Sequence, residues 1–148
     1  MSAIECVIDS VRVHEATKQH TVILKDRSSD RVLPIWIGPD QAHAISARLT
    51  GEKSERPLTH DFVIDAFGKL GVEVDRVAVT GLLPQATLPD GQGIFLARVS
   101  LRADGREIEV DCRPSDAIAL AVRCGARIFV DENVFATAST VPDRGETP

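Results

Sequence analysis

The amino-acid sequence predicts an α+β (mixed α/β) domain, in which about three helices pack on a mixed or antiparallel sheet. Alternating apolar stretches occur in neighbouring pairs joined by polar turns, which indicates β-hairpins. Segments with helical spacing of apolar residues are inserted singly between these pairs. Strict strand–helix alternation, which would indicate an all-parallel sheet, is absent.

The first part of the chain predicts three strands. In IECVIDSVRV (4–13) the apolar residues alternate, and the alternation shifts at Asp9 and Ser10, which indicates a bulge. TVILK (21–25) and RVLPIWI (31–37) flank the polar stretch DRSSD and predict a hairpin. Because Pro34 has no N–H for a central ladder, we expect its strand to lie at an edge or to be bulged.

Three helices are predicted from apolar spacing together with start and stop residues. The first begins at Gly38-Pro39-Asp40 and ends before Gly51; the second has Thr59 as its N-cap and ends at Gly71; the third has Ser115 as its N-cap and ends at Gly125.

The remaining strands lie in the second half. EVDRVAVT (73–80) alternates valines and is followed by a Pro/Gly-rich loop. Two strands then flank the turn Ala103-Asp104-Gly105, and RIFVDENVF supplies a final short strand with one helical turn. We expect residues 1–136 to form a single domain. We expect residues 137–148, which lack core-forming side chains, to be a disordered tail.

Composition excludes several function classes. With 148 residues, a net charge of −5 and 4% aromatic residues, the chain has neither a broad basic face nor a rich stacking platform for nucleic acid, so any such contact is expected to be local. No signal peptide or bilayer-spanning stretch is visible, which predicts a cytoplasmic protein without a membrane partner. The three cysteines form no CxxC pair and are expected to be reduced; Cys112, beside Arg113, is the one candidate reactive thiol.

Three polar clusters stand at predicted strand-to-helix junctions: 38–40, 56–61 and 111–116. The second and third share one order, namely Arg-Pro, a hydroxyl residue, an aspartate and then an apolar helix. Helix N-termini attract anions, and the arginine fork fits a phosphate or a carboxylate. His60 adjoins a carboxylate and can titrate near neutral pH.

A purely structural interpretation of these clusters stays open. Thr59 and Ser115 are good N-caps, and aspartates favour the first turn of a helix. The arginines of the two clusters could pair with each other's aspartates. His14, His20 and His43 have no ligand-like spacing and are expected at the surface or in packing roles. The motifs GxSxG, GxxxxGK[ST], HExxH and GxGxxG are absent.

Taken together, LPIWIG (33–38), RPLTHDFV (56–63) and DCRPSDAIALAVR (111–123) resemble the bacterial bifunctional nuclease family, over roughly residues 4–136. The resemblance implies a compact α+β domain that often forms dimers and cleaves both RNA and DNA. It carries the family's motif positions to Arg56, Thr59, His60, Asp61, Asp111, Arg113, Ser115 and Asp116, with Arg123 closing the second motif. One departure is Gln41, near which relatives carry an acidic residue; this chain offers Asp40 instead.

Two hypotheses from different classes follow. In the first, the chain is a phosphodiesterase acting on RNA or DNA, and Mg²⁺ or Mn²⁺ is held by carboxylate oxygens. The metal ligands would be Asp61, Asp111 and Asp116, which with His60 form the catalytic set; Arg56, Thr59, Arg113 and Ser115 would bind the substrate. In the second, the chain is a non-catalytic module that binds a small anionic ligand or a protein partner. We also expect a homodimer, because an edge strand around Pro34 offers surface to cover.

Overall fold

A computed structural model describes residues 2–52, 54–84 and 93–141 of the chain. The described residues form one sheet of seven strands and four helices. The strands are β1 (Ala3–Val13), β2 (His20–Asp26), β3 (Val32–Ile37), β4 (Glu73–Leu83), β5 (Ile94–Ala103), β6 (Arg106–Cys112) and β7 (Arg127–Asp131). The helices are α1 (Pro39–Leu49), α2 (Thr59–Lys69), α3 (Pro114–Cys124) and α4 (Glu132–Ala138).

The sheet is mixed, with the strand order β3-β2-β1-β7-β4-β5-β6. Every neighbouring pair is antiparallel except β4 and β7, which run parallel. β7, the last strand among the described residues, therefore lies in the middle and joins the β1–β3 meander to the β4–β6 meander. This arrangement confirms the predicted α+β class with a mixed sheet.

Local features of the strands follow the sequence pattern. The register of β1 shifts between Ile8 and Ser10, which confirms the predicted bulge. β2 and β3 form the predicted hairpin, and Pro34 lies in β3 at the edge of the sheet. Asp104 and Gly105 join β5 to β6 with φ values of 50° and 73°, the left-handed conformation that a two-residue hairpin turn requires.

The hydrophobic core lies on one face of the sheet, beneath the helices. In β5, Phe95, Ala97 and Val99 are buried, while Leu96 and Arg98 between them are exposed. α3 is the central helix, with six buried residues, and α1 and α2 pack against it. The opposite face carries ion-paired charges, among them Arg98 with Glu109. The site described below is therefore built on the helical layer.

The helix starts differ from those predicted. The N-caps of α2 and α3 are Leu58 and Arg113, so the assignment of Thr59 and Ser115 as N-caps was wrong. In α2 the third helical residue, Asp61, accepts a hydrogen bond from the backbone N–H of Leu58 at 2.9 Å and so takes over the capping. In α3, Pro114 occupies the first helical position, where its fixed φ starts the helix before Ser115.

The C-terminal part contains more structure than one helical turn. α4 spans seven residues, and Asp131 caps it by accepting from the N–H of Asn133 at 2.9 Å. Of the predicted tail, residues 137–138 complete α4 and Thr140 pairs with Val32, whereas residues 142–148 lie outside the described residues. Residues 85–92 of the predicted Pro/Gly-rich loop also lie outside them. Within the described ranges, no helix is long and apolar enough to cross a membrane.

Candidate active site

The two sequence motifs meet where α2 and α3 begin. Nε2 of His60 lies 2.9 Å from Oδ1 of Asp116, although 56 residues separate the two along the chain. Arg113 donates to the same carboxylate from Nε to Oδ2 at 2.9 Å and from Nη2 to Oδ1 at 3.2 Å. We call this group the His60–Asp116–Arg113 cluster. It joins an imidazole, a carboxylate and a guanidinium from both motifs.

The cluster keeps the Asp116 carboxylate ionised. Burial by itself raises the pKa of Asp116, but hydrogen bonds from Arg113 and His60 outweigh it and hold the pKa below its ordinary value. The same carboxylate raises the pKa of Arg113. At neutral pH Asp116 is therefore a charged acceptor for both neighbours, so Nε2 of His60 donates to it.

The imidazole of His60 is largely enclosed, with 13% of its side chain exposed. Its second nitrogen, Nδ1, is buried and finds no hydrogen-bond partner among the described residues. In the neutral imidazole that donates from Nε2 to Asp116, the lone pair is on Nδ1. In this state His60 therefore holds an unsatisfied proton acceptor just beneath the surface.

Arg113 faces solvent on its other side, and 65% of its side chain is exposed. Its Nη1 is used by none of the bonds to Asp116 and can donate to a ligand. The cluster opens onto a cleft of about 380 Å³, which Thr59, Asp40 and Gln41 also line. We call it the His60 cleft; it is a concave surface where a forked donor adjoins an imidazole.

Asp61 and Arg123 form a second cross-motif pair with a different role. Nε of Arg123 donates to Oδ1 of Asp61 at 2.6 Å, and its Nη1 donates to the carbonyls of Ala44 and Ala119, both at 2.8 Å. Burial alone raises the pKa of Asp61, but bonds from Leu58 N–H and Arg123 keep it below its ordinary value. With 3% of its side chain exposed, Arg123 ties α1, α2 and α3 together.

The sequence-based prediction included Arg123 only as the end of the second motif, and it did not include this structural role. One signal was available: in DAIALAVRCG, Arg123 follows Ala119 by four residues, on the same side of an apolar helix. A buried arginine at such a position must find several acceptors.

The other predicted site residues lie at four different places in the molecule. Arg56 is exposed, lines a neighbouring cleft and makes no ion pair within the part of the chain that the structure describes. Thr59 is exposed at the His60 cleft, and Ser115 is buried, with 3% of its surface accessible. Asp111 is exposed in β6 and lies opposite Arg98 in the ladder. Since the next residue, Cys112, packs against the core, Asp111 points to the other face of the sheet, and its predicted place beside His60 was wrong.

The residues do not fit the predicted Mg²⁺ or Mn²⁺ site. Among residues 2–52, 54–84 and 93–141, no three His, Cys, Asp or Glu side chains are grouped so that they could hold a metal ion. Asp61 and Asp116 each bind an arginine, and Asp111 faces away. A metal requirement stays a prediction, and no step below depends on it.

Two further side chains are accounted for by local structure. Oε1 of Gln41 accepts from the N–H of Gly38 at 2.8 Å, so the residue that departs from the family pattern caps α1. Burial raises the pKa of the Cys112 thiol to about 11, which leaves it protonated and a poor nucleophile at neutral pH.

Comparison with known sequences bears directly on this site. Residues 22–143, which include both motifs, match the bifunctional nuclease domain. The chain belongs to the bifunctional nuclease domain family.

Relatives from a bacterium and from plants share the domain. An uncharacterized protein of Mycobacterium tuberculosis is 35% identical over 143 residues, which cover 96% of this chain and 80% of that protein. Bifunctional nuclease 2 of Arabidopsis thaliana is 30% identical over 127 residues, or 84% of this chain and 37% of the plant protein. Bifunctional nuclease 1 of Oryza sativa subsp. indica is 28% identical over 128 residues, or 84% and 36%. The nuclease name thus belongs to plant proteins of which this chain matches about a third.

Proposed function

We propose that the chain is a phosphodiesterase that cleaves RNA or DNA, and that the scissile phosphate binds in the His60 cleft. The observation that carries this proposal is the His60–Asp116–Arg113 cluster, in which an imidazole and an exposed guanidinium are bonded to the same carboxylate. Membership of the bifunctional nuclease domain family supports the choice of substrate.

Arg113 and its surroundings account for binding of the phosphate. The free Nη1 of Arg113 donates to a non-bridging oxygen, and the guanidinium stabilises the negative charge that grows on the phosphoryl oxygens. The exposed hydroxyl of Thr59 lies at the same cleft and supplies a further donor. Because 65% of the Arg113 side chain is exposed and its Nη1 is not bonded to Asp116, the guanidinium can still donate to an anion.

His60 supplies the proton transfers. Nδ1 takes a proton from the attacking water as the water oxygen bonds to phosphorus, and the resulting imidazolium is stabilised by the Asp116 carboxylate at Nε2. The bond from phosphorus to the leaving oxygen then breaks, and the imidazolium returns its proton to that oxygen. Because Nδ1 is buried in the resting state, substrate binding has to expose it. His60 and its carboxylate therefore act as one unit.

The first test is nuclease activity of single-residue variants. We expect His60→Ala to lower kcat at least about 100-fold, because general acid–base catalysis contributes roughly that factor or more. Arg113→Ala is expected to lower kcat/KM by a comparable factor, because it removes the charge that faces the phosphate. Initial rates on fluorescent single-stranded RNA and DNA, measured with Mg²⁺, with Mn²⁺ and with EDTA, give both values and test the metal requirement.

Asp111→Asn is the matched control, since it alters a motif carboxylate on the other face of the sheet. We expect it to retain activity within about twofold, as an exposed group without a partner in the site affects little. Activity that co-purifies unchanged with His60→Ala and Arg113→Ala would assign cleavage to a contaminant and overturn the proposal.

A second candidate function is a non-catalytic anion-binding module. One observation favours it: Asp61 and Asp116 are both bonded to arginines, so the two carboxylates have structural roles that require no chemistry. Binding of nucleotides without turnover under every metal condition would favour this candidate over the nuclease.

A further inference from the structure

A second cleft adjoins the His60 cleft and has a volume of about 490 Å³. His43 and Leu58 line both clefts, so the two form one groove along α1. The groove runs from the His60–Asp116–Arg113 cluster towards the C-terminal end of α1 and the segment before α2. A substrate bound at the cluster therefore has a surface on which to continue.

Two arginines mark the far end of the groove. Arg48, in the last turn of α1, and Arg56, before α2, both line the second cleft and are both exposed. Neither makes an ion pair with a residue in the described ranges, in contrast to Arg113 and Arg123. Neither guanidinium is bonded to a carboxylate, although Arg48 is near enough to Asp61 to help lower its pKa, so both can donate to an anion.

The acidic residues of the second cleft narrow the choice of ligand. Glu52 and Glu55 line it together with the two arginines. A bare phosphate would be repelled by these carboxylates. A nucleotide, by contrast, carries both a phosphate for arginine and base amino groups that donate hydrogen bonds to carboxylates.

We propose that the groove binds single-stranded nucleic acid, with the scissile phosphate at Arg113 and a neighbouring phosphate held by Arg48 and Arg56. This inference rests on the proposed function and assigns it a substrate class, namely a single strand longer than a dinucleotide. A single pair of cations along one groove fits one strand, whereas the acidic chain as a whole does not offer the broad basic face that a duplex attracts.

The test is a binding measurement in the His60→Ala background, which separates binding from cleavage. Fluorescence anisotropy follows a labelled single-stranded oligonucleotide of mixed sequence. We expect Arg48→Ala/Arg56→Ala to weaken binding at least about tenfold, since a charge-assisted hydrogen bond contributes roughly that factor. A plot of log affinity against log salt concentration has a negative slope, and we expect this slope to become shallower by about 0.7 in the variant, because one phosphate contact is lost.

Lys69→Ala/Arg106→Ala is the charge-matched control, because it removes two exposed cations at the far end of α2 and at the β5–β6 turn. This variant is expected to bind like the His60→Ala protein, and inorganic phosphate is expected not to compete. Equal weakening by both double variants, or equal affinity for a duplex of the same sequence, overturns the inference.

The two proposals fail separately. If the wild-type chain cleaves the oligonucleotide but Arg48→Ala/Arg56→Ala binds as tightly as the control, the groove inference is wrong and the nuclease stands. If the groove variant loses binding but no preparation cleaves, the inferred binding stands and the catalytic proposal is wrong.

Discussion

Asp116 accepts hydrogen bonds from two side chains, His60 and Arg113. These bonds lower the pKa of Asp116 despite the burial that opposes the shift. A carboxylate whose pKa is lower in the folded than in the unfolded chain stabilises the fold above its unfolded pKa. That stabilisation is lost as the pH falls through the folded value.

We therefore expect Asp116→Asn to be less stable than the wild type at neutral pH, by about 1 to 3 kcal/mol, because hydrogen bonds to a charged group are lost. The difference in free energy of unfolding should begin to shrink as the pH falls below 3.8, the ordinary aspartate pKa. It should disappear once the pH has passed the lower pKa of the folded chain, because the wild-type carboxylate is then protonated. Urea unfolding at a series of pH values measures it.

Asp65→Asn serves as the control for this series, because Asp65 is exposed in α2 and makes no ion pair in the ranges that the structure describes. It should follow the wild-type curve. A constant stability difference between Asp116→Asn and the wild type down to the acid limit would contradict the assignment of Asp116 as an ionised acceptor.

The sequence was sufficient to predict most of the residues that lie in the site, but not the side chains that each of them contacts. His60, Arg113 and Asp116 were chosen by chemistry and do lie together, whereas Asp111 does not. The alternation in β6 was the overlooked signal: Ile108, Val110 and Cys112 share one face, so Asp111 belongs with Glu107 and Glu109 on the other. Which nitrogen of His60 meets Asp116 depends on tertiary placement, and no local pattern encodes it.

Among the helices, α2 has the fewest buried side chains. None of its residues is fully buried, and only its partly buried Val63, Ile64 and Phe67 reach the core. The Asp61–Arg123 pair and the two carbonyl bonds of Arg123 fix its start against α1 and α3. Arg123 is therefore the residue on which the helical layer depends.

Arg123→Ala is expected to lower the free energy of unfolding by about 3 kcal/mol or more, because it leaves Asp61 and two carbonyls without their donor. Arg123→Lys should be nearly as harmful, since one ammonium cannot reproduce the donors of two guanidinium nitrogens. Chemical denaturation monitored by far-ultraviolet circular dichroism gives both values.

Arg102→Ala is the comparison for that measurement. Arg102 also pairs with an aspartate, Asp75, but it lies on the sheet face opposite the helices and 57% of its side chain is exposed. An exposed ion pair contributes less than about 1 kcal/mol, so this variant should remain close to the wild type. Equal losses in the Arg102 and Arg123 variants would contradict the special role of Arg123.

The period of apolar residues was sufficient to predict most elements, including the bulge in β1 and the hairpin of β2 and β3. It could not predict that β7 enters between β1 and β4, since the parallel register Val77–Ile128 joins residues far apart in sequence. The predicted starts of α2 and α3 were wrong because Thr59 and Ser115 have the side chains typical of N-caps. In the structure Pro114 occupies the first position of α3, and Asp61 accepts the capping bond of α2. Side-chain chemistry indicates a cap, but backbone geometry decides its position.

For the whole molecule, the two sheet edges differ in how open they are. At β3, backbone bonds of 2.8 Å in both directions join Val32 and Thr140 and cover the first residue of the strand. At β6, Glu107, Glu109 and Asp111 are exposed side by side. Self-pairing of β6 would bring like charges together, which protects this edge.

The homodimer expected from the sequence therefore remains a prediction, and the edge expected to form it is that of β3. Sedimentation velocity over a concentration series should show a dimer that dissociates on dilution. Glu109→Lys, at the opposite edge, should leave this distribution unchanged. A monomer at every concentration would contradict the prediction.

The bond between Asp61 and Arg123 also has a consequence in time. Its partners are 62 residues apart, and those of the His60–Asp116 bond are 56 apart. Synthesis on the ribosome proceeds from the N-terminus, so α1 and α2 emerge well before α3 can fix them. A nascent chain that ends before α3 contains His60, Arg48 and Arg56 but lacks Asp116, which bonds to His60, and Arg123, which bonds to Asp61. The site can therefore be completed only after synthesis has passed residue 123.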